Sequence, residues 1–250
     1  MSDAPTACVL IIGDEILSGR TQDANLKYFA ARFAELGVRL KEARVIPDDA
    51  DVIVDTLNAM RARYSYVITT GGIGPTHDDI TTLCVARAFG RKVIRHEGVA
   101  TRMAAYFGDR LNEARLRMAE VPDGPGVSLI ESEVTIAPGF RIENVFVLAG
   151  VPSIAHAMFE SLAPQLKGGA PMLSGNVVAG VREGDIATGL TAIQEKYPSV
   201  AIGSYPSMSG AAGFRTSVVA RGTDRALIDK VLEDVAALMR AQGGDPVSEA

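Results

Sequence analysis

The sequence predicts an α/β protein: a three-layer domain built on a parallel-dominated sheet, followed by a smaller C-terminal α+β domain. Short apolar runs alternate with amphipathic helical patterns from residue 7 to about residue 89. These runs have the length and apolar character of strands buried on both faces, which is typical of a parallel sheet covered by helices. The segment KGGAP, residues 167–171, then resembles a linker and separates a second unit with a different element order.

The first domain, residues 1–167, begins with strands and helices in strict alternation. Apolar runs closed by Gly13 and Pro47 predict the first two strands, and Gly37 ends the helix between them. The six elements, strand first, cover residues 7–12, 26–36, 38–46, 48–64, 66–70 and 78–89, with Asp78 or Asp79 opening the last helix. The less regular middle predicts helices over residues 97–107, 111–120 and 153–166 and strands over 127–130, 133–137 and 144–148, with Ser153 as an N-cap.

The second domain, residues 172–243, has the order strand, helix, strand, strand, helix. Its elements are predicted over residues 172–181, 186–196, 199–204, 214–220 and 224–242. The small-residue segment YPSMSGAAG, residues 205–213, is too polar for a strand and predicts a loop. The tail after Gly243 is expected to be frayed.

Composition and charge narrow the classes of partner. The formal net charge is -5 and no basic run is longer than a pair, so a nucleic-acid partner is not expected. The N-terminal segment lacks basic residues, and its apolar run is too short for a signal peptide or a membrane span. We therefore expect a cytoplasmic protein with no membrane contact. Cys8 and Cys84 lie in apolar stretches and are interpreted as buried thiols.

The strongest candidate site is the loop after the third strand, which reads TTGGIGPTHDDITT from Thr69 to Thr82. Glycines let the backbone turn tightly, and free amides near the next helix can hold a phosphate. Carboxylates beside an anion would repel it unless a cation lay between them, which implies Mg²⁺ or a similar hard divalent ion. The alternative is a glycine turn with one aspartate as a helix N-cap, which leaves the second carboxylate unexplained. The residues concerned are Gly71, Gly72, Gly74, Thr76, Asp78 and Asp79.

The loop after the second strand carries Asp48, Asp49 and Asp51. One of these carboxylates is expected to cap the next helix, and the cluster suits a helix N-terminus electrostatically. In open α/β sheets, ligands bind at the carboxyl ends of the strands. The position of this loop beside the glycine loop therefore makes Asp48 a candidate second metal ligand.

The loop after the first strand also carries polar residues. Asp14 or Glu15 could act as a base toward water. Arg20 could pair with a phosphate or a carboxylate. Asp23 could simply cap the first helix, and each of these residues taken alone is more typical of a surface or a cap. His77 lies inside the glycine motif, where it contacts ligand or is only solvated.

These motifs resemble a known family. TTGGIGPTHDDIT is similar to the glycine–aspartate signature of the molybdopterin-binding (MoaB/Mog-like) domain family. GDEILSGRTQDAN resembles the first-loop motif of the subset that includes the N-terminal part of CinA and the molybdopterin-binding-like domain of eukaryotic FAD synthases. VIPDDAD and APGF match later motifs, so that the resemblance covers roughly residues 5–165. The remaining residues, GSYP included, resemble the small α+β domain that follows in those proteins.

The resemblance implies a MoaB/Mog-like fold and assigns roles to single residues. The family's essential carboxylates fall on Asp48 and Asp79. Its phosphate-contacting turn falls on Gly71, Gly72, Gly74 and Thr76, and its first-loop contacts fall on Ser18, Gly19 and Asp23. Family members are often oligomers, so a homo-oligomer that binds a nucleotide or pterin is expected.

Three functions are compatible with these residues. The first, which the resemblance implies, is a pyrophosphatase that releases AMP from FAD, ADP-ribose or a related dinucleotide, with Mg²⁺, Mn²⁺ or Co²⁺ on Asp79, Asp48 and Asp78 and with Glu15 as base. The second is binding of molybdopterin and transfer of an adenylyl group to it. The third is a nucleotide-binding module without catalytic activity.

Overall fold

The computed structural model describes residues 4–209 and 213–249. The chain divides into two units, Met1–Gly169 and Ala170–Ala250, and each is described by itself. Within the described ranges, no helix combines the length and the apolar character needed to cross a membrane.

The first unit contains the following elements. Its strands are β1 (Thr6–Ile12), β2 (Arg39–Ile46), β3 (Tyr66–Thr70), β4 (Val93–Arg95), β5 (Glu120–Pro122), β6 (Val127–Ser132), β7 (Thr135–Ile142) and β8 (Val145–Leu148). Its helices are α1 (Asp14–Leu17), α2 (Asn25–Glu35), α3 (Ala50–Arg63), α4 (Thr81–Ala88), α5 (Glu97–Phe107), α6 (Glu113–Leu116) and α7 (Pro152–Leu162). Short 3₁₀ helices cover Gly108–Arg110, Arg117–Ala119 and Ala163–Gln165.

The main sheet has the strand order β2-β1-β3-β8-β7-β6. The first four strands in this order are parallel to one another, whereas β7 and β6 continue the sheet in antiparallel pairs. The parallel-dominated sheet that the sequence predicts is therefore confirmed. Because the chain passes from β1 to β2 on one side and later to β3 on the other, the strand order reverses at the carboxyl end of β1.

The sheet is covered on both faces, as a three-layer fold requires. Val9 and Ile11 of β1 pack with the aromatic side chains of α2 and α7, among them Phe29 and Phe159. The alternate residues of β1, Cys8 and Leu10, pack with α3 and α4 on the other face. Fully burying a large apolar side chain contributes about 1.5–3 kcal/mol, so the buried side chains of both layers stabilise the unit. Both cysteines are buried free thiols, as predicted.

Two predicted helices of the middle segment differ from the structure. Residues 111–120 form α6, a 3₁₀ turn and the start of β5, because β5 pairs with β4 and the Ala119 carbonyl accepts a hydrogen bond from the amide of His96. The helix expected to open at Ser153 begins at Pro152, with Val151 as its N-cap, since proline is well suited to the first helical position. Long-range pairing and proline geometry outweigh the local periodicity here.

The second unit forms a four-stranded antiparallel sheet with two helices. Its elements are β9 (Leu173–Ala179), α8 (Glu183–Lys196), β10 (Ala201–Ser209), β11 (Gly213–Gly222), α9 (Arg225–Ala241) and β12 (Val247–Glu249), and its strand order is β10-β11-β9-β12. The core lies between this sheet and the apolar faces of α8 and α9.

Two predictions for this unit are wrong. The polar segment after Ser204 is largely strand, because Tyr205 to Met208 pair in register with β11, and only residues 210–212 of the expected loop lie outside the described residues. The tail after Gly243 is not simply frayed, because Val247 pairs with Val178 of β9 and adds the strand β12. Cross-strand pairing decides the conformation of such segments more than composition does.

The strand β10 lies at one edge of this sheet, and a side chain of α8 pairs with it. Gln194 Nε2 donates to the Val200 carbonyl at 2.8 Å, and Gln194 Oε1 accepts from the amide of Ile202 at 3.0 Å. The glutamine amide thus takes the place that a neighbouring strand would occupy. Farther along the same edge, Pro206 has no amide hydrogen to offer.

Candidate functional site

The loops after β1, β2, β3 and β8 meet at the carboxyl edge of the main sheet. The amide of Gly13 donates to the Ile46 carbonyl at 3.2 Å, which ties the first loop to the end of β2. The amide of Gly71 donates to the Leu148 carbonyl at 3.3 Å, which ties the third loop to the end of β8. The candidate loops identified in the sequence therefore lie where the strand order reverses, the usual ligand position in such sheets.

Residues 71–80, here called the glycine–aspartate loop, begin with a turn that requires glycine. Gly71 and Gly72 have φ angles of +99° and +68°, which L side chains rarely adopt. A Cβ atom on Gly71 would lie 2.1 Å from the Ile12 carbonyl oxygen, and one on Gly72 would lie 2.1 Å from Thr81 Oγ1. Buried Thr81 holds the turn by donating its hydroxyl to the Gly71 carbonyl at 2.9 Å.

The turn leaves backbone amides for a ligand. The Gly71 amide is used within the sheet, so this predicted phosphate-contacting residue contributes its conformation and not its N–H group. Among the described residues, the amides of Gly72, Ile73 and Gly74 have no protein acceptor. Successive free amides in a turn with positive φ angles form a concave group that attracts anions.

The carboxylate of Asp79 points back into its own loop. Its Oδ2 accepts hydrogen bonds from the Thr76 amide, at 2.7 Å, and from the Thr76 hydroxyl. Gly74 makes room for it, since a Cβ atom there would lie 2.6 Å from that oxygen. The helix α4 begins only at Thr81, so neither Asp78 nor Asp79 opens it as the sequence predicted. The Asp79 carboxylate therefore accepts hydrogen bonds from Thr76 and not, as the N-cap interpretation assumed, from the amides at the start of α4.

Arg117 also holds this loop, and the sequence does not reveal it. Its Nη1 donates to the Thr76 carbonyl at 2.7 Å and its Nη2 donates to the Asp79 carbonyl at 3.0 Å. Because 38 residues separate Arg117 from Asp79, no local pattern connects the two. The pairing of β5 with β4 and the hydrogen bond from the His96 amide to the Ala119 carbonyl help to place the segment before β5 close to the loop.

The loop after β2 separates a capping carboxylate from one that faces the site. Asp49 is the N-cap of α3 and accepts from the amides of Asp51 and Val52, both at 3.0 Å. Asp48 is therefore free for another role, and its Oδ2 accepts from the Asp14 amide at 3.0 Å. This bond fixes the carboxylate of Asp48 beside the loop after β1.

Asp48 is the centre of a crowded group of negative charges. Burial raises the pKa of its carboxyl, and the charges of Asp14, Glu15 and Asp78 raise it further. The pKa of Asp78, in contrast, lies below its ordinary value, because hydrogen-bond donors of its own turn, Thr76 first, lie near its carboxylate and the positive charge of Arg117 acts in the same direction. The negative charges of Asp48 and Asp78, which lie on two different loops, thus repel each other, and a bound cation would reduce this repulsion.

The loop after β1 contributes fewer free groups than its sequence suggests. Glu15 lies over Gly13, since a Cβ atom at Gly13 would lie 2.5 Å from Glu15 Oε2. The Ser18 hydroxyl donates to the Glu15 carbonyl at 3.3 Å, and Gly19 has a φ angle of +72°. Asp23 accepts from the Leu26 amide at 2.9 Å and so caps the first turn of α2.

Two further observations complete this loop. Arg20 is exposed and forms neither a hydrogen bond nor an ion pair with any described residue. Buried Asn25, which the sequence did not single out, donates its Nδ2 to the Gly150 carbonyl at 2.9 Å and ties the start of α2 to the loop after β8. Within residues 4–209 and 213–249, no hydrogen bond joins Ser18, Gly19 or Asp23 to the glycine–aspartate loop.

The predicted metal ligands Asp79, Asp48 and Asp78 do not form a ready three-ligand cluster. In the described part of the chain, no three His, Cys, Asp or Glu side chains are placed to hold a metal ion together. Mg²⁺ in nucleotide sites is commonly bound by one or two carboxylates, substrate phosphates and water, and not by a protein cage. The carboxylates of Asp48 and Asp78, together with the free amides of Gly72, Ile73 and Gly74 for a phosphate, fit a cation of that kind.

Replacing Asp48 with asparagine is expected to stabilise the ligand-free protein. Asparagine keeps an acceptor for the Asp14 amide but removes a charge that burial and its acidic neighbours disfavour, so a gain of about 0.5–1 kcal/mol is expected at neutral pH. Because the folded-state pKa of Asp48 lies above the ordinary value of an aspartate, the penalty is present at neutral pH, decreases as the pH falls through the raised value, and vanishes below the ordinary value.

Thermal unfolding of both proteins at neutral and at acid pH measures this effect. The exposed Asp55 of α3 provides a matched control, since Asp55→Asn removes the same charge away from the loops. If Asp48→Asn is no more stable than the parent at neutral pH, burial and the acidic neighbours do not destabilise the charged carboxylate of Asp48.

Comparison with known proteins identifies the family. A family model described as "Probable molybdopterin binding domain" matches residues 8–168. The chain belongs to the molybdopterin-binding domain family. A second model, described as "FAD synthase, middle domain", matches residues 171–245, so that the molybdopterin-binding domain is followed by a domain related to those enzymes. The resemblance seen in the sequence motifs is thereby confirmed.

Some relatives of this chain match it over nearly their whole length, and others match it over a part of their length. A protein of Aeropyrum pernix is 34% identical over 98% of this chain and 97% of its own length. A "Probable FAD synthase" of Caenorhabditis elegans is 32% identical over 83% of this chain, which spans only 45% of that enzyme. The crystal structure of the protein CinA, of unknown function, from Thermoplasma acidophilum matches 66% of this chain and 99% of its own, with 30% identity and a TM-score of 0.61.

Proposed function

We propose that the protein is a metal-dependent nucleotide pyrophosphatase that acts on FAD, ADP-ribose or a related dinucleotide and releases AMP. The observation that carries the proposal is the meeting of two features at the carboxyl edge of the sheet. The free amides of Gly72, Ile73 and Gly74 suit an anion, Asp78 belongs to the same loop, and the charge of Asp78 raises the pKa of Asp48 on the neighbouring loop. This combination favours a ligand that carries phosphate together with a divalent cation.

The residues present fit such a cation by their chemistry. The cation would be held by one or two of the carboxylates of Asp48, Asp78 and Asp79 together with phosphate oxygens and water, and Asp79 would offer only Oδ1, since its Oδ2 accepts from Thr76. A bound Mg²⁺, Mn²⁺ or Co²⁺ supplies neutralisation of the negative charge on the bridging phosphates. The chain's own groups bind the phosphates. The glycine amides bind one phosphate, and the unpaired guanidinium of Arg20 binds another.

The reaction is hydrolysis of the pyrophosphate bond. A water oxygen attacks phosphorus in line with the bridging oxygen, the bond from phosphorus to that oxygen breaks, and AMP and a second phosphate ester are released. Glu15, whose carboxylate lies over Gly13 at the end of β1, is the group proposed to accept the proton of the attacking water.

The relatives support a dinucleotide as the ligand. The match of residues 171–245 to the middle domain of FAD synthases extends the similarity beyond the first unit to proteins whose name includes FAD. The description of the first family model favours a second candidate, binding of molybdopterin with adenylyl transfer.

The proposal is tested by incubating the full chain with FAD or ADP-ribose and Mg²⁺, Mn²⁺ or Co²⁺ and separating the products by chromatography. We expect AMP and the second phosphate ester in equal amounts, with no AMP when the divalent ion is chelated. AMP formation that persists in excess chelator would contradict the metal dependence. Tight molybdopterin binding without any dinucleotide hydrolysis would replace the proposal by the second candidate, and nucleotide binding without turnover would leave a non-catalytic module.

A further inference from the structure

The exposed tip of the glycine–aspartate loop is held by a side chain from a distant part of the chain. Residues 71–80 form no helix or strand, and Pro75, Thr76, His77 and Asp78 at their tip are exposed. Such a segment has little packing of its own to fix the direction of its side chains. The two hydrogen bonds from Arg117 are made at this tip, to the carbonyls on either side of Asp78.

Arg117 closes a turn that is already bonded internally. The Asp79 amide donates to the Thr76 carbonyl at 3.3 Å, and Oδ2 of Asp79 accepts from the Thr76 amide at 2.7 Å. The guanidinium joins the carbonyls of the same two residues from outside. A planar fork with two donors can hold two acceptors in one fixed geometry, whereas an ammonium group acts as a single point of charge.

The backbone that carries Arg117 is firmly placed. Arg117 begins the 3₁₀ helix Arg117–Ala119, and buried Ala119 packs with Val99 and Met103 of α5. The Ala119 carbonyl accepts from the His96 amide at 2.8 Å, and the next residues pair with β4. The guanidinium therefore reaches the loop from an anchored segment, so its bonds transmit that rigidity to Thr76 and Asp79.

We propose that Arg117 is the residue that positions the glycine–aspartate loop for binding of the cation and phosphate, an inference that rests on the function proposed above. Its bonds fix the turn from Thr76 to Asp79 and with it the directions of the Asp78 and Asp79 carboxylates. Arg117 does not itself touch the reacting atoms. Its loss acts through the aspartates, and the affinity for the divalent ion is the quantity that changes most.

The test compares Arg117→Ala and Arg117→Lys with Arg115→Ala in the full chain. Arg115 is a matched control, because it lies in the same segment but bonds the Arg110 carbonyl and lies over the Phe107 ring. For Arg117→Ala, the Mn²⁺ concentration that gives half-maximal AMP release is expected to rise by about tenfold or more, as is typical when a group that orients metal ligands is removed. Arg117→Lys is expected to need a similarly raised Mn²⁺ concentration. Added guanidinium ion at low concentration is expected to lower the Mn²⁺ requirement of Arg117→Ala part of the way toward that of the parent.

A second measurement separates this inference from the proposed function. Hydrogen–deuterium exchange of the peptide that covers residues 73–80 is expected to be faster in Arg117→Ala and unchanged in Arg115→Ala. If the parent chain releases no AMP while this exchange difference is present, the proposed function fails and the positioning of the loop by Arg117 stands. If the parent is active and Arg117→Ala matches it in both metal dependence and exchange, the inference about Arg117 is overturned.

Discussion

Replacing Asp79 with alanine is expected to abolish AMP release from FAD and ADP-ribose. The substitution removes a carboxylate from the proposed cation site and also removes the acceptor that Thr76 uses to close the turn. Because a cation that neutralises phosphate charge contributes several kcal/mol to the transition state, a fall in kcat of about a thousandfold is expected. The measurement is steady-state AMP formation at saturating divalent ion.

Asp79→Asn separates the two losses. Asparagine keeps an oxygen that can accept from the Thr76 amide, so the loop is expected to stay folded and thermal stability to stay close to that of the parent. Its activity is expected to fall nearly as far as that of the alanine variant, because the negative charge is gone. If Asp79→Asn retained full activity, the charge of Asp79 would be unnecessary and the proposed site would be wrong.

Gly71→Ala is expected to be the most destabilising single substitution in the candidate site. A side chain there faces an unfavourable φ angle of +99° and a Cβ contact of 2.1 Å with the Ile12 carbonyl oxygen, a backbone atom of β1 that cannot move aside. Backbone strain and steric overlap together are expected to cost about 3–4 kcal/mol of the free energy of unfolding. Thermal or denaturant unfolding of the full chain measures this loss.

Gly90→Ala is the matched control for that experiment. Gly90 also has a positive φ angle, +62°, but a Cβ atom there meets nothing within 4 Å. Its substitution is therefore expected to cost only the conformational penalty, about 1 kcal/mol. Equal losses for the two variants would mean that β1 and the glycine–aspartate loop are not packed as closely as the structure indicates.

The alternation of β1, α2, β2, α3 and β3 could be predicted from the sequence because local signals agree there. Apolar runs are closed by glycine or proline, and the helices between them have one apolar face. The segment before β5 and the second half of β10 could not be predicted in this way. Their conformations depend on pairing with β4 and β11, which no local periodicity encodes.

The residues of the candidate site likewise fall into two groups, those that a local sequence signal reveals and those whose role depends on distant parts of the chain. Gly72 and Asp48 could be found because unusual backbone conformations need glycine and because carboxylates at strand ends are conspicuous in a sequence. The separate tasks of Asp48 and Asp49 depend on which of them reaches the amides of α3, a matter of geometry. Arg117 and Asn25 were missed because their partners lie far away along the chain, and a lone arginine or asparagine carries no signal of its own.

The pairing of Gln194 with the edge of β10 has a consequence for the protein in concentrated solution. An open strand edge is a template on which another chain can add a strand, and such addition is a common route to aggregation. At β10 the first outward-facing groups are already bonded by the glutamine amide, and Pro206 lacks the amide hydrogen that an added strand would need. The small sheet thereby resists growth from this edge through a side chain of its own helix.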